Sequence, residues 1–462
     1  MSVGIKQVFG RKKQDVDMTT GGISGHLIRF AIPLLMGNVL QQLYNMVDTW
    51  VVGNYVSGEA FSAVGTVGPI INFLVSFFLG VSAGAGVVVS QYYGAHKEDE
   101  VRRTVHTSLA VSAIIGVILS VLGIALVPLM LHLMKTPYEV RDEATVYLVT
   151  YFAGLLGLVI YNIGAGILRS VGDSRRPFYF LAVCALTNTV LDLVFVLVFN
   201  MGVFGVALAT VLSQCLSAVC VVITLMRSTG CIRVYGRELR IHGDILRKII
   251  RIGLPTGLQM AITSFSNIFV QSYINYFGTA AMGGWTAYAK IDQLVVLPMQ
   301  SISLACTTFV GQNIGNGDVK RAKRGVGVAM GISSGITALL SIPVLIFAPT
   351  FVSFFNGDAD IIAFGTTFLR WLTPFYVLCC INQIYAGVLR GAGKSGAAMV
   401  ITLTSFVGFR QLYLFIMANY ISNTTIPIAM SYPAGWILCS AIMFIYYKTV
   451  DLSRGRIVGD DA

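Results

Sequence analysis

Four polar side chains occupy positions in this sequence where hydrocarbon would be expected. Asp48 lies near the end of the first long apolar segment, Asn188 and Asp192 lie in the fifth, and Thr210 lies in the sixth. An ionised carboxylate at such a position costs at least ~2.5–3.5 kcal/mol, so intramembrane acids usually face a partner or a water-filled path. Two carboxylates, an amide and a hydroxyl supply the oxygen ligands that a hard cation prefers. The same carboxylates could share a proton, and the residue types do not distinguish Na⁺ from H⁺.

The helices that carry these residues must place them at similar depth for one site to form. At 1.5 Å of rise per residue, Asp48 lies ~27 Å and Asp192 ~21 Å from the cytoplasmic starts of their spans, and Thr210 lies ~10 Å from the outer start of its span. In a hydrocarbon core about 30 Å thick all three positions fall in the outer half. Asn188 and Asp192 are four residues apart and share a helical face. The spacing therefore predicts a single cation site in the outer half of the membrane.

The composition identifies the class of protein that carries this site. The chain has 462 residues, of which 55% are hydrophobic and only 11% are charged, whereas soluble domains carry about 25% charged residues. We therefore predict an all-α integral membrane protein with twelve transmembrane helices. The apolar segments long enough to span a bilayer fall at 26–53, 61–91, 104–128, 143–168, 178–199, 203–226, 247–277, 283–311, 325–349, 363–389, 397–419 and 425–447.

The distribution of Lys and Arg predicts the orientation of these spans. Nearly all of the 32 basic residues lie at the two ends of the chain and in the even-numbered connections, whereas the odd-numbered connections hold only Lys135 and Arg141. Because cytoplasmic loops carry the excess of Lys and Arg, both termini are expected in the cytoplasm, in the cytoplasmic (inner) membrane of a prokaryote. The net charge of +11 then faces anionic lipid, and no nucleic-acid partner is expected.

An internal repeat divides the chain into halves. The segments 30–34, 90–94 and 165–174 recur at 252–256, 311–315 and 386–395, at offsets of 222, 221 and 221 residues. Each copy holds six spans, an even number, so the copies form parallel-repeat six-helix lobes of the kind common in secondary transporters. We expect a cytoplasmic N-terminal segment at 1–25, an N-lobe at 26–227, a cytoplasmic linker at 228–246, a C-lobe at 247–448 and a cytoplasmic tail at 449–462.

Positions that differ between the two halves indicate what only one half does. In the repeat register Asp48 lies opposite Val270, Asp192 opposite Tyr413, and Thr210 opposite Ser431. We therefore expect the acidic oxygen donors to be confined to the first half.

In its span pattern, its repeat and these polar residues, the chain resembles the multidrug and toxic compound extrusion (MATE) family of cation-coupled transporters over residues 20–450. In one branch of that family a span-one Asp, a span-five Asn-x-x-x-Asp and a span-six Thr form the cation site, and Asp48, Asn188, Asp192 and Thr210 match these positions. Pro33 matches a proline at which span one is described as bending, which implies a hinge. The other branch relies on acids of spans seven and ten, which this sequence lacks. The resemblance implies export of drugs in exchange for cations.

Several weaker candidates surround the predicted site. Gln41 and Tyr44 share a helical stripe with Asp48 and, together with Asn162, are expected to line the substrate cavity, although ordinary hydrogen bonds between helices would explain each of them equally well. Arg410 and Lys290 fall inside second-half spans and are costly unless paired or hydrated. We assign Arg410 to the substrate cavity.

We therefore predict a monomeric antiporter, coupled to H⁺ or Na⁺, that exports amphipathic and often cationic organic compounds by alternating access. Its expected partners are these small molecules and membrane lipid. The segment 391–395 resembles the end of a phosphate loop but lacks the required earlier glycine and strand, so ATP is not expected. No catalytic motif, cofactor, disulfide or metal site beyond Na⁺ is predicted. The alternative is a flippase for a lipid-linked precursor, which would need a more cationic cavity.

Overall fold

The computed structural model describes residues 16–56, 58–134 and 136–459. The basic residue Lys135, used above to assign orientation, lies outside these ranges, as do residues 1–15 and 460–462 of the two predicted terminal segments.

In a bilayer each backbone N–H and C=O must be satisfied within the protein, and long apolar segments satisfy this requirement as helices. The first half forms helices α1 to α7, at Ile23–Tyr55, Gly58–Gly94, Glu98–Leu133, Tyr138–Ala153, Leu155–Ser170, Arg175–Leu193 and Gly202–Arg227.

The second half repeats this order with more interruptions. Its helices α8 to α17 lie at Gly243–Asn275, Thr279–Gly315, Val319–Ile346, Ala348–Ser353, Ala359–Leu372, Tyr376–Gly391, Ser395–Leu403, Arg410–Ile416, Thr425–Ala429 and Ser431–Thr449. The repeat is visible in the element lengths, since α1 and α8 both have 33 residues and α2 and α9 both have 37.

Each of the twelve expected spans coincides with a helix or with a broken helix. Among the described residues, ten helical segments are long and apolar enough to cross a membrane, and α4 with α5, bent by 47° at Gly154, would make an eleventh. The twelfth segment is α8, which has 33 residues but carries Arg247, Lys248 and Arg251 near its start. The prediction of an all-α integral membrane protein with two repeated lobes is confirmed.

Two compact units make up the chain. Of the described residues, the first contains 16–17 and those within 33–250, and the second contains 18–32 and 251–459. Helix α1 therefore contributes residues up to Ile32 to the second unit and residues from Pro33 onward to the first. The helix is assigned as continuous through Pro33. The lobe boundaries expected from the sequence, and the hinge at Pro33, stay predictions.

The core of the first unit is packed closely around α3, α4 and α7. A Cβ atom added at Gly123 would lie 2.2 Å from the ring of Phe152, which is itself 1% exposed. Small residues at helix contacts allow this close approach, as is common in membrane proteins. Side chains such as Leu186 and Val121 point outward, as expected where lipid is the solvent.

In the second unit, the segment before α1 is tied to the ends of α9 and α10. The backbone N–H of Met18 donates to Oε1 of Gln312 at 2.9 Å. The guanidinium of Arg321 donates to the carbonyl oxygens of Met18, Thr20 and Gly21 at 2.8–3.3 Å. We name residues 18–21 the N-terminal strap.

Three π-helical turns interrupt the regular helices. They follow α6 at Val194–Val198, follow α14 at Thr404–Phe409 and follow α15 at Met417–Ile421. Such turns shift the register of side chains and often occur at functional sites. The first begins two residues after Asp192, and the second ends immediately before Arg410.

Candidate cation site

Three helices of the first unit carry the four predicted cation ligands. Asp48 lies on α1, Asn188 and Asp192 lie on α6, and Thr210 lies on α7. The side-chain amide of Asn188 donates to Oγ1 of Thr210 at 3.5 Å, and that hydroxyl donates to the carbonyl oxygen of Val206 at 3.1 Å. These bonds fix the two neutral ligands against each other.

The two carboxylates lie in direct contact. The side chain of Asp48 lies against both Asp192 and Thr210. Asp192 is fully buried, Asn188 is 1% exposed and Thr210 is 6% exposed, whereas Asp48 is half-buried. Asp48 is thus the acidic ligand with access to the surface of the described structure, and Asp192 is the deeper one.

Several oxygen atoms of this group lack hydrogen-bond donors. Within the described ranges, four buried oxygens have no partner: Oδ1 of Asp48, Oδ1 of Asn188, and Oδ1 and Oδ2 of Asp192. No Lys or Arg of residues 16–56, 58–134 or 136–459 forms an ion pair with Asp48 or Asp192 in the structure. A buried carboxylate without a counter-charge is unstable unless it binds a cation or a proton. The residues present therefore fit a monovalent cation or a shared proton.

Aromatic hydroxyl groups surround the acidic pair. Tyr44 lies beside Asp48 and interacts with the side chain of Gln41, as the helical stripe predicted. Tyr147 lies within electrostatic reach of both carboxylates, and its ring stacks on Tyr151 with centroids 6.5 Å apart. Tyr147 and Tyr151 are themselves part of the core of the first unit, so the acidic pair lies against that core.

Sequence analysis did not identify Tyr147 and Tyr151, and no specific signal in the sequence marks them. They are four residues apart in the fourth span and share a helical face. Aromatic residues are common throughout the chain, and nothing in their local pattern distinguishes this pair from lipid-facing rings.

Two other predicted cavity residues, Asn162 and Arg410, are buried, and their role in the cavity stays a prediction. Asn162 is buried in α5, and its amide donates to the carbonyl oxygen of Leu158 at 2.9 Å, one turn earlier in the same helix. Its backbone carbonyl accepts a hydrogen bond from Ser82 at 2.6 Å. Asn162 thus takes part in packing α5 against α2. Arg410 lies in the second unit, where it is 2% exposed.

The expectation that acidic donors are confined to the first half is wrong. Asp292 lies on α9 inside the eighth span, half-buried, and accepts a hydrogen bond from the hydroxyl of Tyr288 at 3.4 Å. Its neighbour along the chain, Lys290, is not placed to neutralise it. Residues two apart on a helix do not face each other, and Lys290 is exposed in the structure.

The fold and the acidic pair together define a class of protein: a polytopic membrane transporter with duplicated helical lobes. The model of the MatE family matches residues 33–194 and 255–416, two stretches of equal length that start at Pro33 and Pro255. The chain belongs to this family. It is a multi-pass membrane protein of a multidrug efflux family that acts on small molecules, and it is a transporter rather than an enzyme.

Individual relatives and solved structures agree with this assignment. The chain is 28% identical to "Probable multidrug resistance protein YpnP" of Bacillus subtilis (strain 168), over 94% of this chain and 96% of that protein. A MOP superfamily transporter from Pyrococcus furiosus has the same fold, with a TM-score of 0.89 at 23% identity over 95% of this chain and 98% of that one. An outward-facing multidrug resistance MATE family transporter also gives a TM-score of 0.89, at 23% identity over 96% of this chain and 99% of that one.

Proposed function

We propose that this chain is an antiporter that exports amphipathic, often cationic organic compounds in exchange for H⁺, Na⁺ or both. The observation that carries the proposal is the contact between Asp48 and Asp192, a pair that has no basic partner among the described residues and has three buried oxygens that accept no hydrogen bond. Asp48, Asp192, Asn188 and Thr210 would hold the ion, and Tyr44 and Gln41 would border the cavity beside it.

Coupling requires that the ion and the exported compound bind with different affinity in the inward-open and outward-open states. The ion would reach Asp192 past the more accessible Asp48. Loading the site with one proton or one Na⁺ compensates one of the two negative charges that the carboxylate pair can carry, and this change alters the free energy of the helices that carry them. Helix α1 is the element we expect to change shape, with Pro33 as its hinge.

We further propose that the protein acts as a monomer in the cytoplasmic membrane of a prokaryote, with both termini in the cytoplasm and without ATP. The support is the predominance of basic residues at the ends of the chain and in the even-numbered connections. Cysteine labelling from either side of the membrane tests the orientation.

The test of coupling uses the full-length protein in liposomes. Ethidium export is measured under an imposed pH gradient and, separately, under an imposed Na⁺ gradient. We expect export with at least one gradient, and loss of that export to the background of empty liposomes in Asp48→Asn and in Asp192→Asn. Asp142→Asn is the control, because Asp142 is an exposed acid on α4. Export that survives in both site variants at the wild-type rate contradicts the proposal.

The alternative, a flippase for a lipid-linked precursor, gains support only from Lys290 and Arg410. Binding of a pyrophosphate-linked lipid would call for several cations on one cavity surface. Arg410 is buried against neutral partners and Lys290 is exposed. Transfer of a fluorescent lipid pyrophosphate across the liposome membrane, with no gradient-driven ethidium export, would favour the flippase.

A further inference from the structure

The segment that joins the two halves of the chain has an ordered structure of its own. We name residues 228–242, between α7 and α8, the central linker. Ile232 and Val234 are buried, whereas Arg233 and Tyr235 are exposed. Side chains alternate between two faces in an extended chain. One face of the linker is therefore packed against the protein, and the other faces outward.

Side chains of α3 hold the central linker in place. The backbone N–H of Tyr235 donates to Nε2 of His106 at 3.1 Å, and that of His242 donates to Oγ1 of Thr107 at 3.2 Å. The guanidinium of Arg233 lies over the Tyr235 ring, 4.8 Å from its centroid. The linker is thus fixed to α3 at two points seven residues apart, and its outward side chains are held by an ordered backbone.

The charges of the central linker are unbalanced. Glu238 is its one acid, and two nitrogens of Arg102 on α3 lie 2.9 Å from the two oxygens of that carboxylate. Arg233, Arg237 and Arg240 are exposed and form no ion pair with any carboxylate that the structure describes. Because its acid is already neutralised from outside, the linker presents three positive charges without a partner.

Large apolar side chains lie exposed among these charges. Leu239 is 43% exposed and Ile241 is 45% exposed, on either side of Arg240. The linker begins directly after Arg227, the last residue of α7, and ends directly before Gly243, the first residue of α8. It therefore lies at the ends of two predicted spans, where a membrane surface would be. Basic residues interspersed with exposed aliphatic residues are typical of segments at the boundary between headgroups and acyl chains.

The tail of the chain shows that this exposure does not follow from position alone. At the repeat offset, the tail after the last span corresponds to the central linker. Its apolar residues Leu452, Ile457 and Val458 are only 0–9% exposed. Its Arg454 lies 3.8 Å from a carboxylate oxygen of Asp451. The tail thus buries its apolar side chains and pairs an arginine, whereas the linker leaves both kinds of group exposed.

We propose that the central linker is a binding site for the headgroups of anionic phospholipids in the cytoplasmic leaflet. The phosphate oxygens would pair with Arg233, Arg237 and Arg240, while Leu239 and Ile241 would enter the adjoining acyl layer. Guanidinium groups bind phosphate through paired hydrogen bonds, and basic residues at a membrane surface favour anionic lipid. The inference rests on the proposed cytoplasmic orientation, and it assigns lipid recognition to one anchored segment.

The test compares two fluorescent lipids that differ only in their headgroups, phosphatidylglycerol and phosphatidylcholine. Binding of each to the purified full-length protein in a neutral detergent is followed by fluorescence anisotropy. A basic residue near an anionic surface contributes ~1 kcal/mol, or about fivefold, so three arginines should favour phosphatidylglycerol on the order of a hundredfold at low ionic strength. Added salt should reduce this preference. Equal binding of the two lipids by the wild-type protein overturns the proposal without recourse to any variant.

Two double variants then locate the site. Replacing Arg237→Gln together with Arg240→Gln should lower the preference for phosphatidylglycerol by a factor on the order of 25. The matched control is Lys323→Gln together with Arg324→Gln, because these are two exposed bases near the start of α10, and it should keep the wild-type preference. The same preference in both double variants contradicts the assignment to the linker.

A third arm separates a lipid from free phosphate. Inorganic phosphate in large excess, at constant ionic strength, should leave the lipid bound. Leu239→Ser together with Ile241→Ser should weaken the binding of both lipids and leave their ratio unchanged. Displacement by inorganic phosphate, or unchanged affinities in this variant, overturns the assignment to a lipid. An error in the orientation is distinguished from these results, because a cysteine introduced at Arg237 would then be labelled from outside the cell whatever the lipid preference.

Discussion

Replacing Asp192 with asparagine should stabilise the protein while it abolishes coupling. Both oxygens of Asp192 are buried without a donor, and the side chain lies against a second carboxylate. An unsatisfied buried polar atom costs about 1–3 kcal/mol. The amide introduced by the substitution can donate to Asp48, and the substitution removes one of two like charges. We therefore expect Asp192→Asn to gain about 1–3 kcal/mol in free energy of unfolding, or a rise in Tm of about 2–5 °C.

The assay follows thermal unfolding of the detergent-solubilised protein by tryptophan fluorescence, at about pH 8 and without Na⁺. If Na⁺ is the coupling ion, adding it should raise the wild-type Tm, because a ligand at about 100 times its Kd contributes ~2.7 kcal/mol. Asp192→Asn should lose this response. Gradient-driven export in liposomes should fall to background in the same variant.

The control is Asp142→Asn, which removes an exposed acid from α4 and should leave both the Tm and export near wild type. A lower Tm in Asp192→Asn would refute the reasoning, because it would mean that the acidic pair contributes to stability. Higher stability at the expense of function is the pattern expected of a site whose strain is part of its mechanism.

Two further substitutions test the packing. Arg321→Ala removes the donors that hold the N-terminal strap, so hydrogen exchange at residues 18–21 should become about tenfold faster or more, as expected when ~1.4 kcal/mol of local stability is lost. Arg324→Ala, at an exposed arginine of the same helix, should leave this exchange unchanged. Equal exchange in both variants would contradict the role of Arg321. Gly123→Ala places a methyl group against an aromatic ring and should cost about 1–3 kcal/mol by overpacking. A Cβ atom added at Gly331 would have no neighbouring atom within 4 Å, so Gly331→Ala should instead gain up to ~1 kcal/mol from helix propensity. Measured in one detergent, the Tm of Gly123→Ala should fall and that of Gly331→Ala should rise.

The features that sequence predicts well are those fixed by periodicity and depth. The length of each apolar segment predicts a helix, because a bilayer leaves the backbone few alternatives. The helical rise per residue predicts depths for Asp48 and Asp192 that allow the contact seen in the structure. The repeat register is equally reliable, since α2 and α9 have the same length and both end at a glycine.

The features that sequence misses depend on side-chain direction and local backbone irregularity. The π-helical turn before Arg410 follows from no residue type in segment 404–409, so the direction in which Arg410 points could not be foreseen. The amide of Asn162 donates within its own helix, and the pattern of polar residues does not predict this bond. Asp292 lies at a position that the comparison of the two halves, made only at the predicted cation ligands, does not include.

The two compact units are not the two repeats, and this limits how the protein can be divided. Residues 18–32 belong to the second unit although they precede the first repeat match, and residues 243–250 belong to the first unit although they open α8. A polypeptide cut within the segment 228–242 would yield two fragments, each of which lacks part of its own unit and carries part of the other. Such fragments should accumulate only when they are synthesised together. A gene that arose by duplication and encodes this architecture therefore could not be split into two genes whose products fold independently.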